Sequence, residues 1–212
     1  MAYSDFNLYR VLKTFDLAYS EIVEIFTPVP ELECSRLLTE VLQENLPVAL
    51  GSNTEKSRSE LIIAPILMEV RKLLDHRVSL FSGVDFTVDA ERGLNGNCDF
   101  LISRSPELLI VKAPVIAIVE AKKENINLGL GQCIAEMLAA KIFNEREGNE
   151  ITTIYGAVTT GDRWKFLKLE GKAISVEIGE TLLSNLGKIL GILVFGMGHR
   201  EQGSEFKLDT TL

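Results

Sequence analysis

The sequence predicts an α/β protein, an α+β mixed sheet with helices packed on its faces, and three observations predict it. The 212 residues are 46% hydrophobic and 25% charged, the balance of a globular chain with one sizeable core. Short β-patterned runs are interleaved with longer helix-patterned ones. One run, Ala113-Pro-Val-Ile-Ala-Ile-Val119, is apolar almost throughout, as a central strand covered on both faces should be.

Taken in order, the first fifty residues are acidic and mixed. Leu37, Leu38, Val41 and Leu42 predict a helix over 33–45, with Pro47 as its stop. Residues 51–57 read as a loop, and 59–74 as a strongly apolar helix. Pro65 either kinks that helix or marks where its regular part begins. Val84, Phe86 and Val88 alternate within a strand over 78–88, and Cys98, Phe100 and Ile102 within one over 97–103. The turn at 92–97, with Gly93 and Gly96, suits an antiparallel connection.

Residues 128–143 predict a helix rich in Ala, Leu, Ile and Met. Strands follow over 151–159 and 165–169, joined by Thr160-Gly-Asp162. A further strand at 173–178 and a closing helix at 181–194 complete the order. No repeat or linker divides the chain. Residues 1–56 read as an acidic N-terminal extension packed on a core of 57–180, and 181–212 as a C-terminal helix and tail.

Charge narrows the function classes. Twenty-two Lys and Arg against thirty Asp and Glu give a net charge of −8. That excludes coating of nucleic acid by bulk charge, which needs many phosphate contacts. A local basic groove, or an acidic cluster that takes a cation, stays open. The apolar run 190–198 is far short of the roughly 20 residues of a membrane span, and the start Met1-Ala-Tyr-Ser-Asp5 has no secretory character. The three cysteines, Cys34, Cys98 and Cys133, have no metal-type spacing. A cytoplasmic protein with reduced thiols is expected.

The chemistry concentrates at Glu120-Ala-Lys122. Residues two apart on a strand share a face, so Glu120 and Lys122 project together. Charged groups beside a buried strand need pairing or a metal. Asp99 starts what should be a neighbouring strand, and if the two run antiparallel, Asp99 and Glu120 converge. Two carboxylates with a lysine make an oxygen-rich site suited to Mg²⁺ or Mn²⁺. There Lys122 can orient or deprotonate a water, its own pKa depressed by the cation.

Each piece also has an ordinary reading. Asp99 suits a turn. Ser57-Arg-Ser-Glu60 fits a capping box, against which Glu60 as a helix-borne carboxylate aimed at a metal must be weighed. Gln132 is a polar first-turn residue or a site residue, and Trp164 packs under its hairpin. Cys98 and Cys133 read as small core residues, since nothing supplies a base for either. His76 and His199 receive no role.

In this order, Asp99 followed by Glu120-Ala-Lys122 at the end of an apolar strand resembles the PD-(D/E)XK nuclease superfamily, with its restriction endonuclease-like core of order αβββαβ. The likeness is greatest to the N-terminal nuclease domain of type I restriction enzyme motor subunits. It is carried by Ser59-Glu-Leu-Ile-Ile-Ala-Pro-Ile-Leu67, Gly96-Asn-Cys-Asp-Phe100, Val119-Glu-Ala-Lys-Lys123, Gly131-Gln132 and Thr159-Thr-Gly-Asp-Arg-Trp164. It spans about residues 57–170. The family's proline before the aspartate is Cys98 here, and Glu136 stands where relatives often carry an aromatic.

The resemblance implies a metal-dependent nuclease acting on nucleic acid, DNA foremost. Asp99, Glu120 and the Ala121 carbonyl would bind Mg²⁺ or Mn²⁺, with Glu60 reaching the same ion. Lys122 would activate water, and Gln132 would help hold the nucleic acid or the site. Lys123, Arg104, Arg163 and Lys165 are candidates to line a groove. The rival expectation is a catalytically silent nuclease-fold binding or regulatory subunit. A homodimer, or an accessory protein held through the acidic N-terminal residues, is left open.

Overall fold

A single mixed sheet organises the computed structural model, which describes residues 1–198. Its path runs β1 (Ala18–Ile22), β7 (Ala173–Glu177), β6 (Arg163–Glu170), β5 (Thr153–Thr159), β4 (Val115–Ala121), β3 (Asn97–Ser103) and β2 (Ser79–Asp85). The short β8 (Thr181–Leu182) pairs with β6. Within this sheet β4/β5 and β1/β7 are parallel and the other pairs antiparallel. All seven residues of β4 are buried, as its apolar sequence requires.

A parallel β4–β5 pair needs a crossover, and α5 (Leu130–Arg146) supplies it. This helix packs on β4 and β5, with α1 (Leu8–Phe15) against its outer side. The opposite face of the sheet carries α2 (Arg36–Ser52), α4 (Ala64–Leu73) and α6 (Leu186–Gly198) over Phe100, Ile102, Val119 and Trp164. The segment Ile126–Arg146 is long and apolar enough by length and composition to cross a membrane, but 67% of its most apolar window is buried in this core. His199 and the C-terminal tail lie outside the described residues.

Of two prolines singled out in the sequence, Pro47 departs from its reading and Pro65 follows one of its two alternatives. Pro47 does not stop α2, which continues to Ser52 and ends at Asn53 in the left-handed conformation. Ala49, fully buried on the far side of the proline, anchors this last stretch in the core. That packing outweighs the lost hydrogen bond. Pro65 follows a π-helical turn at Ser59–Ile63, in which the Ala64 N–H donates to the Ser59 carbonyl. The Leu61 carbonyl, which a residue at position 65 with an N–H would have taken, instead accepts Asn45 Nδ2 at 2.9 Å. The regular helix therefore begins at Pro65's own turn.

The loop expected at 51–57 is also mostly helical, because α3 (Glu55–Arg58) runs into the π turn. Its cap is Thr54, whose side chain accepts the Ser57 N–H at 3.0 Å. The expected Ser57–Glu60 capping box does not form: the Ser57 hydroxyl turns to Ser52 instead. At the other end, residues 181–185 form β8 and a 3₁₀ turn before α6 begins.

The N-terminal residues are part of the fold. β1 extends the sheet beside β7. Phe6 and Asn7 cross the start of α5 so closely that a Cβ on Gly131 would lie 2.4 Å from the Phe6 carbonyl oxygen and 2.3 Å from the Asn7 carbonyl carbon. Only glycine admits that passage.

Candidate active site

The ends of three neighbouring strands build the site. β3 and β4 run antiparallel with Phe100 opposite Val119, which sets Asp99 beside the last residues of β4. Asp99 Oδ2 accepts the Ala121 backbone N–H at 2.8 Å. On the other flank, Glu120 and Ala121 pair with Val158 and Thr159 of β5, and the Lys122 N–H donates to the Thr159 carbonyl at 2.8 Å. The carboxylates and the lysine are thus mounted on laddered backbone.

Side chains then form a chain of contacts under α5. Lys122 Nζ donates to Glu120 Oε1 at 2.5 Å and to Gln132 Oε1 at 3.4 Å. Gln132 Nε2 donates to Glu136 Oε1 at 3.1 Å. Glu120 and Glu136 are both 0% exposed, whereas the Lys122 side chain keeps 19% of its surface in solvent. Gly129 makes room for the lysine, since a Cβ there would meet Val158 at 2.7 Å and Lys122 at 3.1 Å.

This burial has an electrostatic cost. Desolvation and then the Asp99 charge push Glu120 up to about 8, against the pull of Lys122. Desolvation and the Glu120 charge push Glu136 well above the ordinary carboxyl range. Burial pulls Lys122 down, but the charge and hydrogen bond of Glu120 outweigh it and hold the ammonium above its usual value. The two partners pull opposite ways: the short contact favours two charges, and burial opposes the charge on Glu120. Glu120 thus holds Lys122 as an ammonium, whereas the depression expected from the sequence is one that a neighbouring cation would supply.

Glu120 Oε2 and Glu136 Oε2 are buried without a hydrogen-bond partner. Orphaned carboxylate oxygens of this kind are the donors a cation would take. Among the described residues, however, no three His, Cys, Asp or Glu side chains stand in a ready metal cluster.

Glu60 is placed apart from this chain of contacts. It is exposed and pairs with Lys56 at 2.8 Å across one helical turn. Glu55, in the first turn of α3, is the helix-borne carboxylate whose charge acts on both Glu120 and Lys122. In the sequence Glu55 lies in a segment that reads as a loop, and Glu136 stands only as a charge where relatives often carry an aromatic; neither is expected there to act on Glu120 or Lys122.

The basic residues expected along a groove are mostly engaged elsewhere. Lys165 is buried, its ammonium donating to the carbonyls of Glu177 and Ile178 at 3.1 and 2.8 Å. Lys165 is therefore a structural residue and lines no groove, drawn inward by carbonyls at the end of β7. Arg163 donates to the Glu124 carbonyl at 2.6 Å and Arg104 to the Met197 carbonyl at 3.3 Å. Lys123 is exposed beside Glu124.

Arg58 instead braces the site from below. Its guanidinium donates to the Thr160 carbonyl at 2.7 Å and Asp162 at 2.6 Å, tying α3 to the β5–β6 turn. Trp164, fully buried, donates to the Gly161 carbonyl at 3.0 Å and packs under that turn as expected. Cys98 and Cys133 are buried thiols whose pKa burial pushes far up, which leaves them protonated and inert. No protein-family model matches this sequence, and no curated protein matches it.

Proposed function

We propose that the chain is a Mg²⁺- or Mn²⁺-dependent nuclease that hydrolyses phosphodiester bonds in nucleic acid, DNA foremost, on a restriction endonuclease-like core. The observation that carries this reading is Glu120: fully buried, bonded to Lys122 on one oxygen, orphaned on the other, and next to Asp99. A carboxylate in that setting gains most from a cation. The run of one helix, three strands, crossover helix and strand around it supports the same core.

The residues present fit such an ion. Glu120 Oε2 has no other partner, and Mg²⁺ needs only one or two protein carboxylates because it keeps several waters. Asp99, Glu120 and the Ala121 carbonyl would hold it. When bound, its chemistry is to offset phosphodiester charge and acidify a water.

The chain's own groups do the rest. Lys122, at the rim of the buried chain, presents an ammonium that orients the attacking water and meets the charge that develops on the phosphoryl oxygens. Gln132 steadies that ammonium. Glu55 adds a smaller negative charge that acts on Glu120.

The test is cleavage of single- and double-stranded DNA, RNA and branched duplexes in Mg²⁺ and in Mn²⁺, with Asp99→Ala and Lys122→Ala as controls. Metal-dependent cutting abolished by both substitutions is expected. Cutting that survives both sinks the reading. Binding of the panel without cutting supports the silent regulatory subunit instead.

A further inference from the structure

Glu136 is used by none of the steps above, yet it ends the chain of contacts that begins at Glu120. It lies one helical turn after Gln132 on α5, is 0% exposed, and leaves Oε2 without a partner. As packing it is a poor choice, because an apolar side chain would fill the volume without desolvating a carboxyl. What it does is geometric.

A glutamine amide fits a site either way round, and its neighbours decide which. Here one neighbour is the Lys122 ammonium, which only donates, 3.4 Å from Oε1. The other is Glu136 Oε1, which accepts from Nε2 at 3.1 Å. Only one orientation satisfies both. Oε1 of Glu136 keeps a lone pair whether the carboxyl is charged or neutral, so the arrangement does not depend on its titration.

We propose that Glu136 is a positioning residue that locks the Gln132 amide with Oε1 toward Lys122, and thereby sets where the ammonium stands beside Glu120. The catalytic side of this inference rests on the reading of the cluster as a hydrolytic site. The positioning itself does not.

The experiment follows the Gln132 side-chain amide and the Lys122 side-chain resonances by NMR at one pH without metal. It uses the full chain as wild type, Glu136→Leu, Glu136→Gln, Gln132→Leu and the Leu/Leu double variant. In Glu136→Leu the Gln132 amide pair should move to free-amide positions and the Lys122 signals should shift. Glu136→Gln should retain both, because its carbonyl accepts the same N–H. Gln132→Leu should shift Lys122 as Glu136→Leu does, with no further change in the double variant. On a cleaved substrate, Glu136→Leu should lower kcat about tenfold at unchanged KM.

Lys122 signals that stay put in Glu136→Leu overturn the proposal. Should that variant not fold, an unmoved Lys122 in Gln132→Leu overturns it equally. A wild type that cuts nothing defeats the hydrolytic reading alone, and the NMR comparison still decides the positioning.

Discussion

Asp99 fastens β3 to β4 by accepting the Ala121 N–H, so this carboxylate of the candidate site is also part of the sheet. Asn keeps an acceptor there and Ala does not. Asp99→Asn should unfold in denaturant within about 0.5 kcal/mol of wild type, and Asp99→Ala about 1–3 kcal/mol earlier, because the amide is left unpaired. Under the proposed function both should lose metal-dependent cutting. A stable, inactive Asp99→Asn separates the two roles.

The raised pKa of Glu120 fixes the sign of a pH effect. Between the ordinary carboxyl pKa, about 4.5, and about 8, the folded chain holds a proton that the unfolded chain has released. The stability this contributes is full below that window and lost as pH rises through it. Without metal, thermal stability should therefore fall from pH 5 to pH 8. A cation that binds the ionised form opposes the loss. Added Mg²⁺ should raise Tm more at pH 8 than at pH 5.5; Glu120→Gln should flatten this second trend and reduce the first to the share that Glu136 supplies.

Glu55 and Glu60 make a paired test of which helix acid serves the site. Glu60 is exposed and held by Lys56, while Glu55 acts on Glu120 and Lys122. Glu55→Gln should weaken Mg²⁺ binding by a few-fold in calorimetry, by removing a charge that favours the cation. Glu60→Gln should change it by less than about twofold, and stability by less than about 0.5 kcal/mol. The reverse order would return Glu60 to the site.

Arg58 predicts a purely structural loss. Its guanidinium is buried and serves a carbonyl and a carboxylate at once, which a lysine cannot copy. Arg58→Met should destabilise by about 3 kcal/mol, which in a chain of this length is about 10 °C in Tm. Arg58→Lys should recover less than half of that.

How far the sequence carried these conclusions varied with the range of the forces involved. β3 was legible to its ends because alternation over 97–103 and the glycine turn before it are local signals. The apolar run of β4 declared a central strand, and the approach of Asp99 to Glu120 followed once the two strands were antiparallel. Pro47 misled because the packing of Ala49, a tertiary contact, overrode a local penalty. Lys165 misled because a charge looks like surface until the Glu177 and Ile178 carbonyls that meet it are known. Glu136 was visible as a charge in an aromatic's place, but its contact with Gln132 was not, since that is set by the depth of α5 in the fold.

The pairing of β1 with β7 has a temporal consequence. Ser20 and Ser175 touch across a separation of 155 residues, and β1 pairs with no other strand among those described. During synthesis its exposed residues must wait, unpaired, until β7, 155 residues further along, has left the ribosome. The β1 edge of the sheet therefore closes only after β7 is made, a non-local step of the kind that slows folding.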